Sequence, residues 1–411
     1  MDISWGRVFW RVVSIVHKIN AAGSLLVKRH MSVRRFSYCV TLGSSLLLSA
    51  SVLCAQSTHD FSWTLGPFVR PVTTPIITPN AKSVFTDPIT RKPVLWEALH
   101  TFNPAAVVRQ GKVYVFYRAE DDSGSMVIGM HTSRLGLASS DDGINFVTKP
   151  APVFYPDVDS QQNREWPGGV EDPRVVERED GTYVLTYTQW NRRATDIGIA
   201  TSTDLIHWAK QGPALVGEKY QHFDYKSASI VTQLTNGRLI AAKIHGKYWM
   251  YWGEVQVRLA TSPDLIHWTP VEGSSGKPIV LLHNRPRHFD SAFPEVGPPS
   301  LLTGRGIVLI YNGKNAAVDG APGIAANAYS DGQALFSTDN PRKLIARTDK
   351  PFFKPEESWE QSGQYVAGTT FAEGLVFFHD KWFLYYGGAD SRVGVAVFDP
   401  KAPAESSEQK P

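Results

Sequence analysis

Thr182-Tyr-Val-Leu-Thr-Tyr-Thr188, followed by Ile199-Ala-Thr-Ser-Thr-Asp204, is the stretch of sequence that decides the fold. The first segment is rich in β-branched and aromatic residues and follows the turn signal Asp180-Gly181, so it predicts a β-strand. The second segment predicts another strand that ends in a Ser/Asp turn. Together they describe one antiparallel hairpin, and that hairpin recurs along the chain.

Five copies of this hairpin occur in order. The aromatic strands are Lys112–Arg118, Thr182–Thr188, Lys247–Trp252, Gly306–Tyr311 and Lys381–Tyr386. The partner strands with their turns are Leu137–Gly143, Ile199–Asp204, Leu259–Asp264, Ala334–Asp339 and Val395–Asp399. Their spacing of about 60 to 75 residues suits the four strands of a propeller blade. We therefore predict an all-β fold, a five-bladed β-propeller in a single domain over residues 56–405, with a β-sandwich as the alternative.

Residues 1–55 differ from the rest of the chain. They contain seven Lys/Arg residues and one acid, so removing their surplus of six turns the whole-chain net charge of +3 into about −3. The basic pair after Met31 precedes an apolar stretch from Tyr38 to Leu53, which is shorter than the roughly 20 residues of a membrane-spanning helix. This order is typical of a secretory signal peptide. We predict residues 1–55 as a leader, Met31 as an alternative start, a periplasmic or secreted protein, and no stable membrane insertion after the leader is removed.

Both cysteines, Cys39 and Cys54, lie in this leader. The remaining chain therefore has no thiol for a disulfide, a zinc–thiolate site or a cysteine nucleophile. The surplus of basic residues also belongs to the leader, so composition gives no support for a nucleic-acid partner. The spacing of His207, His245 and His288 does not indicate a metal site, and we predict neither a metal nor another cofactor.

Gly169-Val-Glu-Asp-Pro-Arg174 concentrates charged residues between a Gly-Gly pair and a predicted strand. Pro173 disfavours helix at Asp172, so we expect Asp172 at the entrance of a strand. Glu171 and Arg174 can set its pKa, because an opposite charge lowers the pKa of a carboxyl group and a buried like charge raises it. Taken alone, the segment is also compatible with a turn that carries a surface ion pair.

The inner strands of a propeller point polar side chains toward one axial funnel, where a functional site is expected. The inner-strand segments are Phe102–Ala106, Arg118–Asp121, Gly169–Arg174, Phe293–Gly297 and Gly368–Gly374. Because they belong to different predicted blades, their separation in sequence does not prevent contact in space.

With these segments in this order, the chain resembles glycoside hydrolase family 130, the β-mannoside phosphorylases and β-mannosidases. The resemblance runs from Ile76 to Ala396 and is most specific at Gly169–Arg174. Further matching segments are Phe102–Ala106, Tyr117-Arg118, Lys243–Tyr248, Gly297–Pro299 and Tyr385–Asp390. The resemblance implies a five-bladed propeller that acts on a β-mannoside oligosaccharide.

The resemblance also implies roles for single residues. Asp172 matches the general acid of an inverting mechanism, while Asn103, Arg118 and Asp390 match positions that hold a mannose. Guanidinium donors and carboxylate acceptors are groups that suit sugar hydroxyls. The complete set of predicted binding residues is Asn103, Arg118, Glu171, Arg174, Lys243 and Asp390.

Phosphorylases and hydrolases of this family differ in the nucleophile, so the question is whether the site can hold phosphate. A phosphate dianion needs several cations directed at it. Asp196 stands where the phosphorylases have an arginine, and Trp252-Gly253 stands where they have a His-Arg pair. Lys243 alone does not make a phosphate site.

Two glutamates occur instead, Glu254 after Trp252-Gly253 and Glu295 before Val296-Gly297, as in the hydrolytic branch that acts on β-1,2-mannosides. An inverting hydrolase needs a carboxylate to deprotonate water opposite the leaving group. Repulsion between the two glutamates should raise one of their pKa values. We therefore predict an exported, inverting exo-β-mannosidase for β-1,2-linked manno-oligosaccharides. The alternatives are a β-mannoside phosphorylase and a non-catalytic, mannoside-binding propeller lectin.

Overall fold

Antiparallel β-strands dominate the part of the chain described by the structure, a computed structural model that describes residues 62–215, 217–220 and 225–402. The prediction of a mostly β protein is confirmed. The predicted leader, residues 1–55, lies outside the described residues. In the described residues the helical segments are short, namely α1 (Gln162–Glu165) and two 3₁₀ turns at Glu218–Tyr220 and Ser358–Gln361. Within the described ranges, no helix has the length and apolar character needed to span a membrane.

The strands form successive antiparallel units, which we number from the N-terminus. A short hairpin, β1 (Phe85–Thr86) and β2 (Pro93–Val94), precedes them. Unit 1 contains β3 (His100–Arg109), β4 (Lys112–Glu120), β5 (Ser133–Ser140) and β6 (Val147–Thr148). Unit 2 contains β7 (Gly169–Glu177), β8 (Tyr183–Trp190), β9 (Thr195–Ser202) and β10 (Ala209–Pro213).

The remaining units follow the same plan with more irregular edges. Unit 3 contains β11 (Ala228–Thr235), β12 (Arg238–Ala241), β13 (Lys243–Ile244), β14 (Lys247–Trp252), β15 (Val257–Ser262), β16 (Thr269–Pro270) and β17 (Val280–Leu282). Unit 4 contains β18 (Phe293–Val296), β19 (Ser300–Thr303), β20 (Gly306–Lys314), β21 (Tyr329–Phe336) and β22 (Leu344–Arg347). Unit 5 contains β23 (Thr370–Phe378), β24 (Lys381–Gly388) and β25 (Arg392–Phe398).

Each predicted aromatic strand pairs antiparallel with its predicted partner strand. The pairs are β4–β5, β8–β9, β14–β15, β20–β21 and β24–β25. The Ser/Asp turns that follow are closed by their own side chains. In unit 2, Ser202 Oγ accepts the N–H of Leu205 at 2.9 Å, and the Asp204 carboxylate accepts the N–H of His207 at 2.8 Å. His207 is exposed and its ring lies 2.7 Å from Asp204, which gives this histidine a role in the turn.

A tyrosine facing a glycine marks four of the units. The opposed pairs are Tyr117–Gly136, Tyr187–Gly198, Tyr311–Gly332 and Tyr386–Gly394. A Cβ atom on any of these glycines would lie within 2.6 Å of the tyrosine ring, so the tyrosine occupies the space that a larger residue would need. The tyrosine hydroxyls donate at 2.7–2.8 Å to the buried carboxylates of Glu97, Glu165, Asp290 and Glu360. This repeated contact holds each ring in one orientation.

Buried apolar clusters join each unit to the next along the chain. Examples are Phe116 with Val175, Ile199 with Met250, Leu259 with Leu309, and Leu301 with Leu384. Unit 5 also packs on unit 1, where Val376 lies in one cluster with Val115. The segment before β1 joins the last unit as well, through bridges from Val69 to Val397 and from Ile77 to Val393. The first and last units are therefore neighbours.

The tyrosine–glycine contact can be tested at Gly198. In Gly198→Ala the new Cβ would lie 2.5 Å from Tyr187 Cζ, and this ring is held by Phe154 and Glu165. Overpacking of a filled core typically costs about 1–3 kcal/mol, so the free energy of unfolding should fall by that amount. Gly304→Ala is the control, because its Cβ would meet no atom within 4 Å and should change stability by less than about 0.5 kcal/mol. Equal unfolding midpoints in urea for the two variants would contradict the packing argument.

Candidate active site

Asp172 lies inside strand β7 at a bulge, and the prediction that it stands at a strand entrance is wrong. The register of β7 against β8 shifts between Glu171 and Arg174, and Asp172 has φ +48°. This left-handed backbone is uncommon for a residue with a side chain and interrupts the alternation of the strand. Pro173 has no N–H to donate, which suits a position where the ladder is broken. The side chain is 1% exposed, so the bulge delivers a carboxyl group into the interior.

Asn103 of β3 repeats this arrangement in unit 1. The register of β3 against β4 shifts between Phe102 and Pro104, and Asn103 has φ +44°. Its Nδ2 donates to Asp172 Oδ1 at 2.7 Å. Two bulges in neighbouring units, each followed by a proline, thus bring a predicted binding residue and the predicted acid into contact.

Arg118 of β4 binds the same carboxylate. Its NH1 donates to Asp172 Oδ1 at 3.1 Å, and its NH2 lies 2.6 Å from Glu120 Oε1 and 2.8 Å from Glu171 Oε1. Each of these carboxyl groups is buried, and one guanidinium is shared among three acids. Glu120 lies in a segment that the sequence pointed to, although the residue itself was not predicted.

Lys226, which precedes β11, connects Asp172 to the two predicted water-activating glutamates. Its Nζ lies 3.6 Å from Asp172 Oδ2, 3.5 Å from Glu295 Oε1 and 3.9 Å from Glu254 Oε1. Glu295 is 1% exposed and also accepts a hydrogen bond from Ser227 Oγ at 2.5 Å. Glu254 is partly exposed. The structure therefore brings Asp172, Glu254 and Glu295 around one ammonium group.

Lys243 is not part of this cluster. It is exposed in the β13–β14 hairpin, where it pairs with Tyr248 and its Nζ lies 4.9 Å from the centre of that ring. Glu254 follows the opposite end of β14. Lys243 was predicted to bind substrate, whereas the ammonium group at the acids belongs to Lys226. No repeat motif surrounds Lys226 in the sequence, so pattern reasoning had no signal for it.

Asp390 and Asp196 occupy different environments. Asp390 follows β24 with φ +49°, and Gln364 Nε2 binds both its carbonyl oxygen, at 2.8 Å, and Glu120 Oε2, at 3.2 Å. This links Asp390 to the Arg118 cluster. Asp196 instead forms an ion pair with Arg164 of α1. The carboxylate at the position of the phosphorylase arginine thus binds a nearby guanidinium.

Arg174 lies beneath the site and is 2% exposed. Its NH1 donates to the carbonyl oxygen of Asp172 at 3.0 Å, its NH2 to that of Val296 at 3.0 Å, and its Nε to that of Gly297 at 3.3 Å. The same NH2 lies 2.7 Å from Glu373 Oε1. Arg174 was predicted to contact substrate, but the structure places it as a contact between strands below Asp172 and Glu295.

Burial dominates the electrostatics of the acids. It raises the pKa of Glu171 to about 7, with Arg118 opposing and Asp172 adding to the rise. Burial likewise raises the pKa of Glu295 to about 7, with Lys226 opposing and Glu254 adding to it. The sequence predicted a raised glutamate pKa from repulsion, which is here the smaller cause. Burial also raises the pKa of Asp390 to about 6, against the opposing charge of Arg118.

Asp172 shows the opposite behaviour. Burial acts to raise its pKa, but the positive charges of Lys226 and Arg118 and the hydrogen bond from Asn103 together hold it well below the usual range. The substrate-free site therefore holds Asp172 as a carboxylate. Its Oδ2 is buried and makes no hydrogen bond within the described residues.

Aromatic rings and a lysine line the side of the cluster that faces Glu254. Lys314 Nζ lies 5.4 Å from the ring centres of Phe293 and Tyr329 and 5.5 Å from that of Tyr365. Burial lowers the pKa of Lys314, and the negative charges of Glu254, Asp390 and Glu295 oppose this. These partly exposed rings offer flat apolar surfaces next to the carboxylates. Such surfaces suit the apolar faces of a sugar ring.

This fold and acid cluster fit a carbohydrate-active protein, and comparison with known families gives the family. The profile of glycoside hydrolase family 130, described as β-1,4-mannooligosaccharide phosphorylase, matches residues 72–401. The chain belongs to glycoside hydrolase family 130. The family comprises enzymes that act on mannosides.

Relatives of both activity types are similar to this chain. A 1,2-β-oligomannan phosphorylase of Thermoanaerobacter sp. (strain X514) is 35% identical over 320 residues, which cover 75% of this chain and 96% of the relative. A glycosyl hydrolase of Bacteroides ovatus has a solved structure that is 50% identical, with a TM-score of 0.82 and coverage of 84% and 97%. A second solved structure, 50% identical with a TM-score of 0.82 and coverage of 84% and 98%, is described as showing that this family of mannoside phosphorylases contains glycoside hydrolases that target β-1,2 mannosidic linkages in Candida mannan.

The raised pKa values predict how stability depends on pH in the absence of substrate. Glu171, Glu295 and Asp390 hold protons in the folded state that the unfolded chain releases, so the free energy of unfolding should fall as pH rises from about 4 to about 7. Glu295→Gln should remove the part of this pH-dependent loss that comes from Glu295, on the order of 1–3 kcal/mol of unfolding free energy. The substitution should therefore stabilise the protein more at pH 8 than at pH 4.

Urea unfolding at a series of pH values measures this effect. Glu179→Gln is the control, because Glu179 is exposed and its substitution should leave the pH dependence as in the wild type. A Glu295→Gln curve that runs parallel to the wild-type curve across this range would show that Glu295 has no raised pKa.

Proposed function

We propose that this protein is an exported, inverting exo-β-mannosidase that hydrolyses β-1,2-linked manno-oligosaccharides on a five-bladed β-propeller. The propeller is supported by the packing of each antiparallel unit on the next and of unit 5 on unit 1. The bridges from Val69 and Ile77 to β25 would tie the two ends of the chain together in such a ring. Export rests on the sequence of residues 1–55 and stays a prediction.

One observation carries the proposal: Lys226 gathers Asp172, Glu254 and Glu295 around a single ammonium group. Asp172 Oδ2 and Glu295 Oε1 lie 3.6 Å and 3.5 Å from Lys226 Nζ, so the two carboxyl groups are close enough to act on one sugar. Their largest possible separation, about 7 Å, reaches the spacing of about 6.5–9.5 Å in inverting glycosidases and also includes the about 5–5.5 Å of retaining ones. A water between them would have an acid on one side and a base on the other. A lectin needs no such arrangement.

The charge balance of the site favours water over phosphate. The buried or half-buried carboxyl groups are Glu120, Glu171, Asp172, Glu254, Glu295, Glu373 and Asp390. The neighbouring cations among the described residues are Arg118, Arg174, Lys226 and Lys314. Three of these cations are already paired with carboxylates, and Arg164 is neutralised by Asp196. A phosphate dianion placed here would meet more negative than positive charge.

The roles of the residues follow from their contacts. Asn103, Arg118 and Asp390 would hold the terminal mannose, and the rings around Lys314 would face the sugar beside it. Glu295, assisted by Glu254, would take the proton of the attacking water. Asp172 must gain a proton before it can act as an acid, so that proton arrives once the sugar has entered. Glu171, with a pKa of about 7, is the adjacent carboxyl group that holds a proton near neutral pH.

A phosphorylase is the second candidate, because a 1,2-β-oligomannan phosphorylase is 35% identical to this chain. The two activities give different products from β-1,2-mannobiose. Incubation with and without inorganic phosphate, followed by product chromatography, should release mannose alone at a rate that phosphate does not change. Accumulation of mannose 1-phosphate in phosphate buffer would establish the phosphorylase. If β-1,2-mannobiose is cleaved under neither condition, the result would favour a non-catalytic, mannoside-binding lectin.

Variants of the carboxyl groups test the assigned roles. Asp172→Asn should reduce turnover by roughly 10²- to 10⁴-fold, as expected for loss of a general acid. Glu254→Gln and Glu295→Gln should each reduce turnover strongly and leave mannoside binding nearly unchanged, and the double variant should cost less than the two effects combined. Glu179→Gln serves as the exposed control.

Rescue by azide identifies which carboxyl group acts as the base. Azide needs no proton removed, so it should partly restore turnover of the variant that lacks the true base and should give α-mannosyl azide. Full activity in both glutamate variants, or a β-configured azide product, would show that water is activated elsewhere.

A further inference from the structure

Glu373 is a buried acid that the proposed reaction does not use. It lies at a bulge of β23, where the register against β24 shifts between Ala372 and Gly374, and its side chain is fully buried. Among the residues that the structure describes, its carboxyl group has one ionic contact, 2.7 Å to Arg174 NH2. Burial raises the pKa of Glu373, and the charge of Arg174 opposes this rise.

The partner of Glu373 contacts the backbone of both reacting carboxyl residues. Arg174 donates to the carbonyl oxygen of Asp172 itself and to that of Val296, the residue after Glu295. The first contact holds the left-handed bulge of β7, and the second holds the end of β18. One guanidinium therefore joins strands of units 2, 4 and 5 directly below the site.

A buried ion pair between strands can also be a purely structural contact. The pair formed by Arg70 and Glu360 has that form: Glu360 is fully buried, lies 2.7 Å from Arg70 Nε and accepts the hydroxyl of Tyr386. The Arg70–Glu360 pair ties the N-terminal segment to unit 5 and makes no contact with Asp172 or Glu295. Both pairs join an arginine to a fully buried glutamate, although Arg70 is partly exposed and binds Glu360 through two nitrogens. They differ above all in what the arginine contacts next.

We propose that Glu373 is a positioning residue, which orients Arg174 so that Asp172 and Glu295 keep a fixed separation across the bound sugar. The roles of Asp172 and Glu295 rest on the proposed function. Glu373 makes the ionic contact that sets the direction of the guanidinium plane, because the hydrogen-bond acceptors of Arg174 are backbone carbonyls of the strands being positioned. Without that contact, Arg174 can tilt, and the bulge at Asp172 can move with it.

The test compares Glu373→Leu with Glu360→Leu. Glu373→Leu should lower kcat on β-1,2-mannobiose by about 10- to 100-fold with little change in KM, since small misplacements of reacting groups have effects of that size. Glu373→Gln should restore most of kcat, because its amide oxygen can take the place of the carboxyl oxygen beside Arg174 NH2 whichever protonation state the native carboxyl has. Glu360→Leu should lower the melting temperature while kcat stays near the wild-type value.

These outcomes separate positioning from stability. Equal loss of kcat in Glu373→Leu and Glu360→Leu, or no rescue by Glu373→Gln, would overturn the proposal. If Glu373→Leu does not fold, Glu373→Gln and Glu373→Asp remain, and the shorter Asp should lose more kcat than Gln. The comparison holds for either cleavage product, so a phosphorylase result would not affect it.

Crystal structures give a measurement that does not depend on activity. In Glu373→Leu the 2.7 Å contact between Asn103 and Asp172 and the 2.5 Å contact between Ser227 and Glu295 should lengthen or break. Both contacts should be retained in Glu360→Leu. Unchanged positions of Asp172 and Glu295 in Glu373→Leu would refute a positioning role even for a protein that cleaves no mannoside.

Discussion

The site depends on keeping the Asp172 carboxylate charged in the interior of the protein. A buried charge is costly unless it is paired and hydrogen-bonded, and Asp172 has Arg118, Lys226 and Asn103 around it. These partners come from β4, from the residue before β11, and from β3. The strands must therefore hold three units in fixed relation for the charge to be tolerated. The bulges at Asn103 and Asp172 are the local departures from regular pairing that make these contacts possible.

The frame around the site is repetitive, whereas the site is not. The tyrosine–glycine contact and its buried acid recur in four units and fix the tyrosine ring of each. Strands β3, β7 and β23 differ from one another and carry an amide, an aspartate and a glutamate at their bulges. The repeated tyrosine–glycine contacts thus stabilise the units, and the residues that differ at the bulges supply the reactive groups. Arg174 lies where these two roles meet, because it binds strands of three units and one of the reacting residues.

The distinction between water and phosphate as the nucleophile is a matter of charge balance. Asp196 binds Arg164, and Lys226 is shared by three carboxylates, so these two cations are already paired. Burial outweighs the neighbouring cations at Glu171 and Glu295 and raises the pKa of each to about 7. A relative that binds phosphate would need to reverse that balance at a few positions without a change of fold.

The sequence by itself determined the hairpins, the family and most of the acids, because strand patterns, turn residues and short motifs are local. It identified Asn103, Arg118, Glu171, Asp172, Glu254, Glu295 and Asp390, all of which lie at or beside the cluster. From the sequence, Lys243 was predicted to bind substrate, but the lysine beside the acids is Lys226. Arg174 was also predicted to bind substrate, but in the structure it contacts Glu373 and three backbone carbonyl groups. Those contacts join residues distant in sequence, and burial, which sets the pKa values, exists only in the folded chain. Which lysine reaches the acids, and which acid keeps its proton, was decided by tertiary structure alone.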